Sequence, residues 1–298
     1  MPNVVVYSRS IRRTPHGAFP PALVLLVFAT LCVVSCDNHP SKPNDDWEYP
    51  YYMDVIDSCL RNPERVEELY LHEVDSLPER ISRFVNLKKI TLQGGRNVTF
   101  PATFVTLKKL EEFTAINCGF TEIPNELRYL PALSYLWIGP SVRRIPEWIG
   151  EKRSLKHIDF RSYLDSLPDG LWELDSLQEL RLSNNEIESL SARIGNLKFL
   201  RSLFISSNRL RALPSTIGEL ESVTFLHAGY NRLTSIPASI GDMASLVYLH
   251  FGNNNIEHFP PEIAQCTHLT HLVVSGNPIS EEEKMKLRAW LPNTKIEF

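Results

Sequence analysis

The sequence predicts an α/β solenoid, because one short pattern recurs along much of the chain at a fixed distance. Apolar residues alternate as in a half-buried strand, and this alternation starts at Leu200, Val223, Leu246 and Leu269, a period of 23 residues. An asparagine follows each of these strands, and in three of the four copies a proline stands six residues after the asparagine. A period in this range is typical of a repeat protein in which each unit packs on its neighbours.

The repeated pattern L-x-x-L-x-L-x-x-N-x-L-x-x-L-P closely resembles the leucine-rich-repeat family, over roughly residues 66–298. The resemblance implies a leucine-rich-repeat horseshoe with parallel strands on its concave face. One repeat offers about seven inward apolar side chains, each worth ~1.5–3 kcal/mol. Ordering its residues costs about 1.5 kcal/mol each, so a repeat cannot fold without its neighbours.

Ten repeat starts can be read along the chain. Three of the five intervals between the first and the sixth start are shorter than 23 residues, and all later intervals are 23 residues. The starts are Val66, Leu87, Leu110, Leu133, Leu155, Leu177, Leu200, Val223, Leu246 and Leu269. The resemblance implies that the asparagine after each strand points inward and hydrogen-bonds the backbone of adjacent turns, for which an amide has the donors and the acceptor. This predicted ladder consists of Asn185, Asn208, Asn231, Asn254 and Asn277.

The first half of the solenoid lacks this asparagine. Gly95 and Cys118 stand at the equivalent place in two of its repeats, and the shortened repeats have no clear equivalent. We therefore expect the first half to curve less regularly than the second half and to be less stable.

The N-terminal residues 1–35 have the features of a bacterial lipoprotein signal peptide. Residues 22–34 form an uncharged apolar run, preceded by three arginines and too short to span a membrane, which takes about 20 residues. The sequence Val-Val-Ser-Cys at 33–36 resembles a lipobox, in which the cysteine is lipidated and becomes the mature N-terminus. We predict lipidation of Cys36 and anchoring to a membrane of the bacterial cell envelope. A signal peptide cleaved without lipidation and an uncleaved membrane anchor are the alternatives.

Caps are predicted at both ends of the solenoid, since a terminal repeat exposes apolar core and an unpaired strand edge. A helical pattern stops at Asn62-Pro63, and near the C-terminus Ser280 and Glu283 have the spacing of a capping box. The polar, proline-containing stretch between the signal peptide and the first cap is typical of a tether. The predicted division is a signal peptide at 1–35, a lipidated tether at 36–50, an N-terminal cap at 51–65, leucine-rich repeats at 66–279 and a C-terminal cap at 280–298.

Composition and motifs argue against nucleic acid as a partner and against an enzyme. The chain has a net charge of −4, and removing the three arginines of the predicted signal peptide leaves −7, which disfavours binding to phosphates. There is no glycine-rich phosphate-binding loop, nucleophile elbow, H-E-x-x-H or C-x-x-C motif. We therefore predict no enzymatic activity, no catalytic residue, no cofactor and no metal site, and we expect a monomer.

Function is therefore expected on the concave surface, where side chains two and four residues after each repeat start point outward and touch across adjacent strands. Exposed aromatic side chains on such a surface are typical of binding sites. The alternative is that they only stabilise the sheet, by ~0.2–1 kcal/mol per pair. The predicted partner-binding residues are Tyr135, Trp137, Phe204, Phe225, His227, Tyr230, Tyr248, His250 and His271.

These residues favour recognition of a protein partner, and a carbohydrate or cell-wall ligand stacked on tryptophan or tyrosine is the alternative. Between the two aromatic groups, cross-strand charge pairs are expected, His157 with Glu179 and Asp159 with Arg181. Two adjacent histidines in an apolar setting repel when both are charged. We therefore expect binding to an apolar partner to weaken as the pH falls through about 6.5. An acidic partner would reverse this sign, because it would favour the charged imidazoles.

Overall fold

The computed structural model describes residues 4–7 and 51–298, whose strands form one open parallel sheet. Each strand pairs with the strand that follows it in sequence, which confirms the predicted solenoid with parallel strands. The strands are β1 (Val4–Tyr7), β2 (Val66–His72), β3 (Lys89–Gln93), β4 (Glu112–Ile116), β5 (Tyr135–Gly139), β6 (His157–Asp159), β7 (Glu179–Arg181), β8 (Ser202–Phe204), β9 (Phe225–His227), β10 (Tyr248–His250), β11 (His271–Val273) and β12 (Lys295–Glu297).

Each repeat returns to the sheet through a short 3₁₀ helix, and within residues 51–298 the α-helices are α1 (Tyr51–Cys59) and α2 (Glu281–Trp290). The repeat prolines are the N-cap residues of these 3₁₀ helices, and where the sixth repeat has Ser191 its hydroxyl accepts a hydrogen bond from the Arg193 N–H. The 3₁₀ helices are Pro63–Arg65, Glu79–Arg83, Ala102–Thr106, Asn125–Tyr129, Glu147–Glu151, Asp169–Glu173, Ala192–Asn196, Ser215–Glu219, Ala238–Asp242 and Pro261–Gln265.

One continuous apolar core runs along the solenoid from α1 to the end of α2. It contains all ten predicted repeat starts, each of which is at most 3% exposed. Because the residues two and four places after each start point away from this core, they occupy the concave surface of the sheet.

The asparagines of the second half join neighbouring repeats through their amides. The Asn231 Oδ1 accepts a hydrogen bond from the Leu210 N–H of the preceding repeat at 3.0 Å. The Asn231 Nδ2 donates to the Ile205 carbonyl of that repeat at 2.9 Å and to the Ala228 carbonyl of its own repeat at 3.1 Å. Equivalent bonds are made by Asn185, Asn208, Asn254 and Asn277.

The first half has longer strands and no asparagine ladder. Strands β2 to β5 have five or seven residues, whereas β6 to β11 have three. At the turn, a side chain on Gly95 would place a Cβ only 1.7 Å from the Val74 carbonyl oxygen, and its φ is +104°. Only glycine fits there, so the ladder asparagine has no place in this repeat. The expected lower stability of the first half stays a prediction.

The two ends of the solenoid are closed differently. Helix α1 buries Val55 and Ile56 against the first repeats. At the other end, the Ser280 hydroxyl accepts from the Glu283 N–H at 3.2 Å, as a capping box requires. The Glu283 carboxylate, however, does not reach back to Ser280; it accepts from the Phe259 N–H at 2.8 Å and so binds the backbone of the ninth repeat. The second half of the predicted capping box is therefore wrong.

The N-terminal predictions lie mostly outside the described residues. The apolar run, Cys36 and the tether fall within 8–50, which the structure does not describe. Strand β1, within the predicted signal peptide, pairs in parallel with β2, with Val4 opposite Val66 and Tyr7 opposite Tyr70. The signal peptide, the lipidation and the domain boundaries stay predictions.

Candidate functional site

The register of the sheet follows the predicted outward columns in every repeat from β2 to β11. Phe225 lies opposite Tyr248, and His227 lies opposite His250. On the neighbouring strand, Phe204 lies opposite His227. The buried alternate residues fix this register, because a shift of one residue would turn the apolar side chains out of the core.

The C-terminal part of the concave face forms a contiguous surface that we call the aromatic patch. Its members are Phe204, Phe225, His227, Tyr248, His250 and His271. Phe225 and Tyr248 are stacked with ring centroids 4.5 Å apart and planes 2° apart. Phe204 lies 5.0 Å from Phe225 on one side of this pair, and His271 lies 6.2 Å from Tyr248 on the other.

This stacking decides which part of each ring is available to a partner. Phe225 and Tyr248 cover one face of each other, and the tilted rings of Phe204 and His271 lie against their outer faces. The rings therefore present their edges and, in Tyr248, the hydroxyl group. A sugar binds to an open aromatic face, whereas a protein side chain packs against ring edges as in a protein core.

The two histidines of β9 and β10 form a second stack, with centroids 4.1 Å apart and planes 16° apart. The Gly252 N–H donates to the His250 Nδ1 at 3.2 Å. Because a backbone N–H can only donate, Nδ1 has no proton and the neutral ring bears its proton on Nε2. His250 also lies against Gly229, where an added Cβ would be 2.5 Å from the His250 Nδ1. The residue at this place after β9 must therefore be a glycine.

The environment keeps this pair uncharged. Burial, followed by the proximity of His250, lowers the pKa of His227 from 6.5 to about 4. Burial also lowers the pKa of His250, against the opposing charge of Glu297 on β12. The expected change of binding near pH 6.5 is therefore displaced to lower pH, because desolvation disfavours the imidazolium already in the free protein.

Tyr230 lies at the edge of the aromatic patch but makes no ring stack within the described residues. It follows β9 by three residues, its side chain is 58% exposed, and its φ is +56°. Its backbone N–H donates to the Gly252 carbonyl at 2.8 Å. The turn therefore turns the phenol away from the stacks and leaves it open to solvent.

The predicted residues of β5 lie apart from the aromatic patch. Tyr135 packs on His157 at 5.9 Å, and the Arg161 guanidinium lies 5.9 Å from the centre of the Trp137 ring. Three strand spacings, about 14 Å, separate β5 from β8. The concave face therefore bears two separate aromatic groups, as the sequence predicted.

The charged side chains between these groups pair differently from the sequence prediction. Asp159 accepts two hydrogen bonds from Arg161, at 3.0 and 2.6 Å, instead of pairing with Arg181 across the strands. Arg181 pairs with Glu179 on its own strand and stacks on Phe204, with its guanidinium 4.3 Å from the ring centre. The predicted cross-strand ion pairs are wrong, because partners on the same chain segment lie closer.

Sequence reasoning missed Arg161 and Gly229. Arg161 stands just beyond the strand, outside the two columns that were read, and only its distance from Asp159 reveals it. Gly229 could have been noticed, since a glycine stands after β9 and β10 where the two preceding repeats have Ser183 and Ser206.

Residues 51–298 contain no group of three or more histidine, cysteine, aspartate or glutamate side chains arranged to hold a metal ion. Among the described residues, no helix has the length and apolar character that crossing a membrane demands.

Comparison with known proteins agrees with this architecture. A family model described as a leucine-rich repeat region matches residues 167–293. No curated protein matches the sequence. An internalin from Listeria monocytogenes is similar in structure, with a TM-score of 0.59 and 17% identity over 82% of this chain and 86% of that one.

Two further solved structures are similar. The plant peptide hormone receptor RGFR1, solved in complex with RGF2, has a TM-score of 0.53 and 23% identity over 79% of this chain; the match spans 47% of the receptor chain, about half its length. A leucine-rich-repeat protein from Leptospira interrogans is 19% identical over 81% of this chain and 98% of its own, with a TM-score of 0.37. At these identities, the similarity concerns the fold.

Proposed function

From the premise that this chain is a leucine-rich-repeat protein, we propose that it is a non-enzymatic binding protein that recognises a protein partner through the aromatic patch. The observation that supports this function most is the contiguous double stack of rings on β8 to β11, half-buried in the free protein and open on one side. Large, preordered aromatic groups are the side chains on which protein interfaces depend most.

The ring geometry favours a protein over a carbohydrate. A sugar needs an open aromatic face, and the faces of Phe225 and Tyr248 are occupied by their neighbours. Tyr135 packs against His157, and Trp137 packs against Arg161. The similar structure of the plant peptide hormone receptor RGFR1 was solved in complex with RGF2, so a protein of similar fold binds such a partner.

The proposal includes a membrane anchor. Cleavage before Cys36 and lipidation of its thiol would tether the solenoid at the surface of a membrane in the bacterial cell envelope, with residues 37–50 as the spacer. The support is the sequence alone: a basic region, an apolar run and a lipobox-like Val-Val-Ser-Cys.

Photo-crosslinking in cells tests the proposed site. A photoreactive amino acid is placed at Tyr248 in the patch and, as a control, at Phe199, which is 63% exposed and lies outside the strands. We expect a defined protein adduct from Tyr248 and none of the same mass from Phe199. The captured protein is then purified, and its affinity is measured for Phe225→Ala and for Phe199→Ala.

We expect Phe225→Ala to weaken the affinity about 10-fold or more, as truncation of an aromatic hot spot does, and Phe199→Ala to leave it unchanged. Equal effects of the two substitutions would place the site elsewhere. Binding of the purified protein to a glycan array, lost on Phe225→Ala, would favour the carbohydrate alternative instead.

A further inference from the structure

We propose that the partner bound by the aromatic patch also presents an acidic peptide segment, which binds Arg211 and Arg232 on the adjoining turns of repeats seven and eight. We call these two residues with Tyr230 the arginine rim. The inference rests on the proposed function, because it extends the footprint of the same partner from the strands to the turns that follow them.

The two rim arginines differ from most arginines of the central repeats in having no carboxylate partner. Both are exposed, and within residues 51–298 neither forms an ion pair. Arg209, two residues before Arg211, is held by Glu186 at 3.1 Å. Carboxylates of the chain also pair with Arg128, Arg153, Arg161, Arg181 and Arg193.

Backbone hydrogen bonds place the two rim arginines on neighbouring turns. The Arg232 N–H donates to the Leu210 carbonyl at 2.8 Å, and the Thr234 N–H donates to the Arg211 carbonyl at 3.4 Å. The turns of repeats seven and eight therefore run side by side. They follow β8 and β9, the strands that hold Phe204, Phe225 and His227 of the aromatic patch.

Tyr230 connects the strands with the rim, and its backbone conformation is unfavourable. Three other repeats have an asparagine in the left-handed conformation at this place, which asparagine tolerates, and two have Glu73 and Ser207 in the same conformation. A tyrosine costs about 1 kcal/mol more there, and its phenol is 58% exposed. A contact with a bound partner accounts for an aromatic residue at this place. The equivalent asparagines are Asn117, Asn184 and Asn253.

The chemistry of the rim fits carboxylate groups. A guanidinium binds a carboxylate through two parallel hydrogen bonds, which specify geometry as well as charge. The chain as a whole is acidic, with a net charge of −4. Two unpaired arginines beside an uncharged aromatic surface therefore form a local positive site that favours an acidic segment and orients it.

A phage-displayed library of random linear peptides provides a defined probe. The peptides are selected for binding to the intact protein. We expect selected peptides to combine apolar residues with aspartate and glutamate, enriched about twofold or more over the library. The affinity of synthetic peptides from the selection is then measured for four variants: Phe225→Ala, Arg211→Gln, Arg232→Gln and Arg201→Gln.

Arg201→Gln is the matched control, since Arg201 is also exposed and has no ion pair in the described part of the chain, but lies at the opposite end of β8. We expect each rim variant to weaken binding about threefold, the effect of a partly exposed ion pair, with a reduced salt dependence. Arg201→Gln should have no effect, and Phe225→Ala should abolish binding.

The outcomes separate the two proposals. Peptides that require Phe225 but are not acidic, or that bind both rim variants like the wild type, would overturn the acidic segment and leave the aromatic patch as the site. Peptides that bind without Phe225 would overturn the proposed site and the shared footprint with it. A selection that yields no peptide specific for the protein would count against both.

Discussion

At the scale of single residues, two adjacent positions of the repeat have opposite roles, one in folding and one in the proposed binding. The ladder position holds an asparagine such as Asn231, whose amide accepts one hydrogen bond and donates two inside the solenoid. The residue just before it, in the left-handed conformation, points outward, and in repeat eight it is Tyr230. Two substitutions test these opposite roles.

Asn231→Ala should destabilise the protein by about 1–3 kcal/mol, because the Leu210 N–H and the Ile205 carbonyl lose their partner in a buried site. Urea denaturation followed by circular dichroism measures this. Asn255→Ala is the control, since Asn255 is exposed and directly follows the ladder residue Asn254. A change near zero for Asn231→Ala would show that water replaces the amide at this turn.

Tyr230→Asn should stabilise the protein by about 0.5–1 kcal/mol, because asparagine tolerates a φ of +56° better than tyrosine does. The same substitution should weaken binding of peptides selected on the wild type. Tyr163→Asn provides the comparison, since Tyr163 is equally exposed, at 60%, without a left-handed backbone. If both variants have the same stability as the wild type, Tyr230 is under no strain.

At the scale of strands and turns, the sequence predicted what burial determines and missed what local geometry determines. The repeat starts and the register followed from the apolar period, since each start is buried. The lengths of β2 to β5 did not, because backbone pairing there continues beyond the apolar pattern. The ion pair of Asp159 with Arg161 depends on a residue after the strand, where no period constrains the side chain.

The aromatic patch was predictable for a related reason. Phe225 and Tyr248 occupy the same column in adjacent strands, so the parallel register alone places their rings in contact. That these rings cover each other's faces and present their edges depends on side-chain rotamers, which the sequence does not reveal. The preference for a protein over a sugar therefore required the structure.

Lys152 is the one buried charged residue in a column of apolar residues that end the described 3₁₀ helices. Because burying a charge is costly, Lys152→Met should stabilise the protein by about 1 kcal/mol at neutral pH. Lys152 is 5% exposed, its Nζ donates to the Leu130 carbonyl, and burial lowers its pKa. The equivalent residues include Leu107, Leu130, Leu174, Leu197, Leu220 and Met243.

The gain from Lys152→Met should shrink as the pH rises toward 10.5, the ordinary pKa of lysine, because deprotonation relieves the wild type of its buried charge. Thermal melts at several pH values measure this. The exposed Lys156→Met is the control and should leave stability unchanged. A loss of stability on Lys152→Met would mean that the carbonyl hydrogen bonds outweigh the cost of burying the charge.

The histidine stack of β9 and β10 should make stability depend on pH. The pKa of His227 is about 4 in the folded protein and 6.5 as the ordinary value, so the unfolded chain binds more protons between these pH values. Stability should therefore fall as the pH falls from 6.5 toward 4 and be unaffected above about 7. Because the ring is partly exposed, the loss should be on the order of 1 kcal/mol.

Chemical denaturation at several pH values should show a flatter profile for the variant His227→Gln/His250→Gln than for the wild type. His268→Gln removes an exposed imidazole outside the patch and is the control. Profiles that coincide for the wild type and the double variant would show that the stacked pair is already charged, or solvated, in the folded protein.

At the scale of the whole molecule, the two halves of the concave face differ in character. The N-terminal strands present charged columns, such as Lys89 paired with Glu112 at 2.8 Å, whereas β8 to β11 present the aromatic patch. A partner that covers the rings of the aromatic patch must bind the C-terminal half of the concave face. This half is the part of the solenoid farthest from the predicted anchor. A tether at the N-terminus therefore leaves the proposed binding site unobstructed.

Cys36→Ala should release the protein from membranes. The thiol of Cys36 is the group to which the lipid would be attached, and without it neither lipid nor mature N-terminus can form at this residue. The fourteen residues at 37–50, which extend to about 45 Å, would hold the solenoid off the bilayer in the wild type.

Cell fractionation and labelling with a fatty-acid analogue measure the effect, and Cys32→Ala, four residues earlier in the apolar run, is the control. Labelled wild type and Cys32→Ala in the membrane fraction, with unlabelled Cys36→Ala released, is the expected result. If Cys36→Ala stays with the membrane, the apolar run itself is retained as the anchor, and if all three proteins lack the label, the signal peptide is cleaved without lipidation.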